Sequence, residues 1–193
     1  MGRLVLIRHG ESEGNRDRVF TRTPEVPLTD AGRAQVLRAA EWVAARYLPV
    51  AVVSSPFLRA RQTAAILAER LALAVRVEED LREQSYGELA GQPYAALRAA
   101  SDYDPARYWL WRPPGGGETL VEVAARAGPA LDRVAASAPA DDVVVVSHGG
   151  VMMALWWHVT GEWRMGRVAR NAGLVVVAHE AGRWGGATAI EDL

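Results

Sequence analysis

Short runs of β-branched residues alternate along the chain with longer stretches in which apolar residues recur at helical spacing. This alternation is typical of an α/β protein whose helices cover a largely parallel sheet. The length of 193 residues suits one compact domain, and no internal repeat or linker divides the chain. We therefore predict a single α/β domain over residues 1–193.

The predicted strands are short, and several of them, such as the run VVVVS, are apolar throughout, as burial on both faces of a parallel sheet requires. The predicted strands are Arg3–Arg8, Val50–Ser54, Ala74–Val77, Asp142–Ser147 and Gly173–Ala178, with a final strand over Gly185–Ile190 that forms a hairpin with the last of these. The predicted helices are Thr29–Arg46, Pro56–Leu71, about Glu118–Ser137 and about Gly150–Thr160. Thr29 and Ser55 are residues of the N-cap type, and Pro56 suits the first helical position.

Residues 92–117 depart from this alternation. The segment is rich in aromatic residues, shows no clear period and ends in the run RPPGGG. Long irregular connections in compact domains are usually functional loops. We predict that this segment, called the excursion below, passes over the edge of the sheet.

Two of the predicted strands end in the same way, in a His-Gly pair. One is LVLIRHGES, which contains His9, and the other is VVVVSHGG, which contains His148 and Gly149. In open α/β sheets the ligand crevice lies beyond the carboxyl ends of the strands, so we expect both imidazoles to face it. A lone His at a strand end is more often structural, but two with matching Gly neighbours favour a site.

A third strand end, in VVSSPFLRARQTA, adds positive charge to the same edge of the sheet. A helix begins there, and the free N–H groups at a helix N-terminus attract anions. Arg59, in the first turns of that helix, would add a guanidinium fork for phosphate oxygens. Arg8 directly precedes His9, so the predicted site combines two guanidinium groups with two imidazoles.

Composition excludes several mechanisms and partners. The chain has no Cys and all 22 basic residues are Arg, so a thiolate nucleophile, a Schiff-base lysine, a Walker-type P-loop and a Cys-bound zinc are excluded. The net charge is -1 and no basic run is present, so we expect no nucleic-acid partner. No stretch is long and apolar enough for a signal sequence or a membrane span, so we expect no membrane partner and a cytoplasmic location.

Four motifs, in this order and spacing, resemble the histidine phosphatase superfamily with its phosphoglycerate mutase-like fold. They are LIRHGESEGN, SSPFLRARQTA, LREQSYGELAG and VVSHGG, and the resemblance extends from Arg3 to about Asn171. The resemblance implies a three-layer α/β/α sandwich with a mostly parallel central sheet.

The resemblance also implies a role for each residue of the site. His9 would form a covalent phosphohistidine, and Glu83 would donate the proton. The phosphate ligands would be Arg8, Arg59 and His148. Asn15 matches the polar position that follows the first motif and would help to hold the phosphoryl oxygens.

The chemistry of these residues agrees with those roles. A neutral imidazole can attack phosphorus in line, and nearby cations favour the neutral form by lowering the pKa of His9. The same cations offset charge on the transferring group, so we expect neither a metal ion nor a cofactor. Glu83 is the best candidate to protonate the leaving oxygen and later to deprotonate the attacking water.

The chain departs from the family pattern at two places that bear on the substrate. Many members have an aromatic residue, Gln and Gly where this chain has Phe20, Thr21 and Arg22. A substrate contact at Thr21 is therefore in doubt, and Arg22 is a candidate for a new one. Leu89 and Ala90 stand where the family usually has Trp and Glu, so local packing there should differ.

We expect the excursion to determine substrate selectivity and its Trp residues to line the mouth of the site. The aromatic and cationic residues concerned are Tyr103, Arg107, Tyr108, Trp109, Trp111 and Arg112. His158 and His179 are expected to be packing or surface residues, because their positions suggest no metal triad.

The function predicted from the sequence is a phosphomonoesterase that hydrolyses a small phosphorylated metabolite through a phosphohistidine. One alternative is a cofactor-dependent phosphoglycerate mutase, but mutases of this superfamily are typically longer, with an insertion that caps the site. An alternative of another class is a catalytically silent module that binds a phosphate ligand. The sequence leaves open whether the chain forms a homodimer.

Overall fold

The central sheet of this computed structural model contains both parallel and antiparallel strands. The structure describes residues 1–163, 170–180 and 182–190. The strands are β1 (Gly2–Arg8), β2 (Pro49–Ser54), β3 (Val75–Val77), β4 (Asp142–Ser147), β5 (Leu174–Glu180) and β6 (Arg183–Ile190). Their order in the sheet is β3-β2-β4-β1-β5-β6. The first four strands of this order are parallel to one another. Strand β5 pairs antiparallel with β1, and β6 pairs antiparallel with β5. The predicted mostly parallel sheet with a closing hairpin is therefore confirmed.

Helices cover both faces of this sheet. They are α1 (Glu13–Arg16), α2 (Asp30–Ala44), α3 (Leu58–Leu71), α4 (Ala95–Ala99), α5 (Leu120–Ser137) and α6 (Gly149–Thr160). Short 3-10 turns lie at Glu79–Leu81, Gly87–Leu89 and Pro105–Leu110.

Alternate residues of the central strands enter two separate cores. Leu4 and Leu6 pack with α5 and α6, whereas Val5 and Ile7 pack with α2 and α3. Strand β4 alternates in the same way, with Val143 on the first side. Because side chains of a strand point alternately to its two faces, both faces are buried under helices. The predicted three-layer α/β/α sandwich is therefore confirmed.

The start of α3 differs from the prediction. The N-cap residue is Phe57, which makes no side-chain cap hydrogen bond, and Pro56 precedes the helix instead of occupying its first position. Helix α5 begins at Leu120 behind a capping box between Thr119 and Glu122, two residues later than predicted. Local capping chemistry thus moves helix ends by a turn or less.

The excursion is more regular than predicted, since it contains α4 and the turn Pro105–Leu110. Trp109 stacks on Trp163 with a centroid distance of 5.8 Å, and Trp163 stacks on Trp157 of α6 at 5.2 Å. Tyr108 packs against the core between the sheet and helices α5 and α6. The second half of the excursion is therefore anchored by aromatic packing.

No helix among the described residues is long and apolar enough to cross a membrane.

Two glycines let the turn after β1 approach α2 backbone to backbone. A Cβ atom at Gly32 would overlap the carbonyl oxygen of Glu11, and one at Gly10 would lie 2.5 Å from the carbonyl oxygen of Gly32. Hydrogen bonds fasten the same turn, because Glu11 N–H donates to Gln35 Oε1 at 2.9 Å. The position of the turn after β1 therefore depends on the absence of a side chain at Gly32.

We predict that Gly32→Ala lowers the free energy of unfolding by about 1–3 kcal/mol, because the added methyl group forces the turn and α2 apart. Helix propensity alone would make the same substitution stabilising by about 1 kcal/mol. Ala34→Gly, at an exposed position of α2, measures propensity without a clash. Urea unfolding of the three proteins checks this, and a stabilised Gly32→Ala protein would contradict it.

Candidate active site

The two histidines of the predicted site follow strands that are adjacent in the sheet and level with each other. Arg8 of β1 pairs with Ser147 of β4, so His9 and His148 each lie one residue beyond the paired ends. His9 N–H donates to the Ser147 carbonyl oxygen at 2.9 Å. On the other side of β4, Ser55 follows the end of β2, and its N–H donates to the Val146 carbonyl oxygen at 2.9 Å. Three neighbouring strand ends thus converge, as predicted.

His9 is buried, with 2% of its surface exposed. Its Nδ1 lies 2.7 Å from the carbonyl oxygen of Gly10, and since a carbonyl only accepts, Nδ1 bears the ring proton. Nε2 then holds a free electron pair, to which Arg59 Nε donates at 3.1 Å. This arrangement holds His9 as a neutral imidazole with Nε2 next to a cation.

His148 is completely buried, and its ring centroid lies 5.1 Å from that of His9. Its Nε2 lies 2.6 Å from Ser55 Oγ. The Phe57 N–H donates to the same hydroxyl oxygen at 3.3 Å. Ser55, predicted only as a helix cap, therefore orients the second imidazole.

Three nitrogen atoms of the site are buried without a hydrogen-bond partner among the described residues. They are Arg8 Nε, Arg59 Nη1 and His148 Nδ1. Buried nitrogen atoms of this kind are almost always paired in folded proteins. Several unpaired nitrogens beside one imidazole fit an anion with several acceptor oxygens, as a phosphoryl group has.

Burial and neighbouring cations keep both imidazoles neutral. Burial lowers the pKa of His9 well below its usual value, and the charges of Arg59 and Arg8 lower it further. The pKa of His148 is lowered well below its usual value by the same kinds of cause, burial first and Arg59 second. A neutral imidazole is the form that can act as a nucleophile.

Glu83 lies near the same two arginines as His9, but its pKa shifts in the opposite direction. Burial raises the pKa of this carboxyl group above its usual value, although the charges of Arg59 and Arg8 and the Gln84 N–H partly oppose the shift. Glu83 Oε1 accepts from the Gln84 N–H at 2.9 Å. A Cβ atom at Gly150 would lie 2.9 Å from the same oxygen, so Gly150 admits the carboxyl group to the N-terminus of α6.

One cavity of about 480 Å³ brings together Arg8, His9, Arg59 and Glu83, whereas His148 does not line it and reaches it only through its contact with the His9 ring. Its lining residues are Arg8, His9, Ser12, Asn15, Phe20, Thr21, Arg59, Glu83, Tyr86, Tyr94, Leu97, Arg98, Gly149, Gly150 and Met153. Three arginines, one glutamate, two glycines at the N-terminus of α6 and a wall of aromatic and aliphatic side chains therefore line the cavity together with the His9 ring. Such a cavity is suited to an anionic head with a small organic body.

Asn15 lies in this cavity but already has several partners. Its Oδ1 accepts from Asn171 Nδ2 at 2.9 Å, and its Nδ2 donates to the Tyr94 hydroxyl at 2.9 Å. Asn171 Nδ2 also lies 3.3 Å from the carbonyl oxygen of His9. Asn15 therefore links the turn after β1 to the excursion.

Thr21 and Arg22, the two candidate substrate contacts after Phe20, differ in whether they line the cavity that contains His9. Thr21 lines the cavity that contains His9. The guanidinium of Arg22 lies against Gly91 and lines an adjoining cavity of about 460 Å³, which shares Thr21, Glu83 and Tyr86 with the first. Arg22 therefore lies beside the cavity that contains His9 and not in its lining, and a substrate contact by Arg22 stays a prediction.

The prediction for the excursion was wrong about which of its residues face the cavity. The lining residues from the excursion are Tyr94, Leu97 and Arg98, whereas Trp109 is held by aromatic stacking. Arg112 donates to Glu122 and to the Gly117 carbonyl oxygen. The three lining residues are spaced at i, i+3 and i+4 as on a helix, but α4 has only five residues, so this spacing is too short a signal to identify them from the sequence.

His158 and His179 lie away from this cavity, as predicted, and line a separate one of about 300 Å³. His158 Nε2 is 2.9 Å from Asp132 Oδ1. Within the described part of the chain, no group of three or more His, Cys, Asp and Glu side chains could hold a metal ion.

Proteins of similar sequence include named phosphatases, and the matching family profile is that of histidine phosphatases. A profile described as the histidine phosphatase superfamily (branch 1) matches residues 4–189. Glucosyl-3-phosphoglycerate phosphatase of Mycobacterium tuberculosis is 38% identical over 166 residues, which cover 79% of this chain and 73% of that protein. Metal-independent phosphoserine phosphatase of Arabidopsis thaliana is 31% identical over 189 residues, which cover 94% of this chain and 78% of that protein.

A solved structure of the mycobacterial glucosyl-3-phosphoglycerate phosphatase in complex with VO3 agrees in fold. It matches with a TM-score of 0.84 and 33% sequence identity, over 95% of this chain and 96% of that chain. The profile match spans nearly the whole chain and both sequence relatives exceed 30% identity. This chain therefore belongs to the histidine phosphatase superfamily (branch 1).

Proposed function

We propose that the protein is a phosphomonoesterase that transfers a phosphoryl group from a small phosphorylated metabolite to His9 and then to water. The observation that supports this most directly is the state of His9, a buried neutral imidazole whose Nε2 electron pair faces Arg59. The names of the relatives support the same class of reaction. The contacts around His9 suggest how each step proceeds.

In the first step Arg59 Nε moves its hydrogen bond from His9 Nε2 to a phosphoryl oxygen, and the released Nε2 electron pair forms a bond to phosphorus while the bond from phosphorus to the ester oxygen breaks. The protonated carboxyl group of Glu83 gives its proton to the departing oxygen, so an alcohol leaves instead of an alkoxide. Burial raises the pKa of Glu83, which favours this protonated form. In the second step the Glu83 carboxylate takes a proton from water, whose oxygen attacks phosphorus and releases His9 and inorganic phosphate.

The cations stabilise the charge that the transferring group bears on its oxygens. Arg8 and Arg59 offer unpaired nitrogens, and His148 offers an unpaired ring nitrogen, among the described residues. Gly149 adds the N-terminus of α6, where backbone N–H groups and the helix dipole attract anions. Removal of one such donor typically lowers kcat by about 10²–10³ at other enzymes.

The cavity suits a small phosphate ester. Its apolar wall, formed by Phe20, Tyr86, Leu97 and Met153, suits a compact organic body, and Arg98 lies at the same cavity. Glucosyl-3-phosphoglycerate and phosphoserine, named for the relatives, are candidate substrates. Cytoplasmic location stays a prediction.

We predict that a rapid alkaline quench of labelled substrate leaves label on His9, because a two-step path requires a phosphohistidine. His9→Ala should carry no label and lose nearly all turnover. His148→Ala should retain some label, since His148 stabilises oxygens and does not attack. The matched control is His158→Ala on α6, outside the cavity, which should label and turn over as the parent does.

Other results of this experiment would overturn the proposal. Label on His148 would reverse the roles of the two histidines. Absence of label during active turnover would exclude the covalent path. Transfer of label from 2,3-bisphosphoglycerate to 3-phosphoglycerate, instead of to water, would favour a mutase, and absence of turnover despite phosphate binding would favour a silent binding module.

We predict that kcat/KM for an alkyl phosphate falls as the pH rises through the raised pKa of Glu83, because only the protonated carboxyl group can donate a proton. Glu83→Gln should remove this basic limb and lower the rate by about 10²–10⁴. The same substitution should affect kcat/KM for p-nitrophenyl phosphate much less, since p-nitrophenolate leaves without a proton. Equal losses on both substrates would show that Glu83 is not the acid.

We predict that activity survives removal of divalent metal ions, because arginine and histidine side chains already surround the position of the phosphoryl group. Exhaustive dialysis against EDTA followed by a phosphate-release assay measures this. Loss of turnover that magnesium or zinc restores would contradict the mechanism.

A further inference from the structure

The segment that bears Glu83 has no regular structure to hold it. After the turn Glu79–Leu81, residues 82–86 belong to no strand or helix. Buried backbone carbonyl groups must find partners, and no ladder supplies them here. A backbone hydrogen bond from the Glu118 N–H to the Ser85 carbonyl oxygen, at 2.9 Å, holds this segment, and side chains of other elements supply further partners.

Arg126 of α5 binds three carbonyl oxygens, one in the turn before this segment and two within it. Its Nη1 donates to Asp80 O at 2.6 Å and to Arg82 O at 2.9 Å. Its Nη2 donates to the carbonyl oxygen of Glu83 itself, at 3.2 Å. One guanidinium thus holds the backbone at Glu83 and on its N-terminal side.

The other donors of Arg126 bind Glu118, which fixes the segment on its C-terminal side. Nε and Nη2 donate to the two carboxylate oxygens at 2.9 Å each. Glu118 Oε2 also accepts from the Ser85 N–H at 2.9 Å. Burial alone would raise the pKa of Glu118, but the hydrogen bonds from Arg126 and the Ser85 N–H outweigh it and lower the pKa. Glu118 is therefore held as a carboxylate.

With these bonds, all five N–H groups of the Arg126 guanidinium are used. The side chain is only 11% exposed. None of these bonds goes to the Glu83 carboxyl group, whose Oε1 accepts from the Gln84 N–H. Arg126 can therefore influence that carboxyl group only through the backbone and through its charge.

We propose that Arg126 is a positioning residue for the acid of the reaction: by binding the backbone around Glu83, it fixes the Glu83 carboxyl group beside the departing oxygen. This inference rests on the proposed function, because it presumes that Glu83 donates the proton. Misplacement of a catalytic group by about 1 Å can lower a rate by about 10². The effect should therefore appear in reactions that need the proton.

The test compares two leaving groups in Arg126→Lys and Arg126→Gln. kcat/KM reports the steps up to release of the alcohol or phenol, so later hydrolysis of the phosphoenzyme does not affect it. We expect kcat/KM for β-glycerophosphate to fall by about 10–100-fold and for p-nitrophenyl phosphate by less than about 5-fold. Circular dichroism and urea unfolding check that the variants fold.

The matched control is Arg133→Gln, on the same helix. Arg133 pairs with the side chains of Glu78 and Asp80, which lie just before the Glu83 segment, but it makes no hydrogen bond to the backbone at Glu83. Arg133→Gln should leave kcat/KM unchanged for both substrates. If Arg126 variants do not fold, Glu118→Gln, which breaks the paired carboxylate and keeps the side-chain shape, should give a smaller change of the same sign.

The double variant Arg126→Lys with Glu83→Gln separates the possible failures. Once Glu83 can no longer donate a proton, adding Arg126→Lys should not alter the ratio of the two kcat/KM values. Equal losses on both substrates in folded Arg126→Lys, while Glu83→Gln still distinguishes them, would overturn the positioning role alone. If Glu83→Gln does not distinguish the leaving groups, the proposed function itself fails.

Discussion

The parallel pairing of β1 with β4 sets the geometry of the whole site. His9 and His148 each follow directly after a paired residue, and the backbone hydrogen bond from His9 N–H to the Ser147 carbonyl joins the two ends. A slip of one residue would turn every side chain of a strand to the other face, so the apolar residues of β1 and β4 specify the register strongly. The packing of the two cores therefore also fixes the strand register that places the two imidazole rings next to each other.

Burial of charge and of imidazole rings is costly, and this site bears several such groups. Burial lowers the pKa of Arg59 and raises the pKa of Glu83, and each group partly opposes the shift of the other. Both histidines avoid part of the cost by staying neutral. The surrounding apolar core must offset the rest.

The strands and the main histidines were predictable because each depends on a short local signal. Apolar runs marked the strands, and the repeated His-Gly pair marked the two strand ends that the parallel register brings together. The lining of the cavity by Tyr94, Leu97 and Arg98 was missed, since α4 has only five residues and its helical period is too short to recognise. The stacking of Trp109 on Trp163 joins positions far apart in sequence, which no local pattern reveals.

The motif LREQSYGELAG predicts a role for Glu83, but the contacts with Arg126 show why the motif alone could not predict how its carboxyl group is held in place. The motif places a carboxylate in a segment without its own ladder, and the partner that fixes the segment comes from the following long helix. A lysine at position 126 would offer three donors on one nitrogen, whereas the planar guanidinium offers five in a fork. That fork reaches two carbonyl oxygens with Nη1 and both oxygens of Glu118 with Nε and Nη2, while Nη2 also reaches the Glu83 carbonyl. A helix that otherwise packs the core thereby also holds the backbone of the proposed acid.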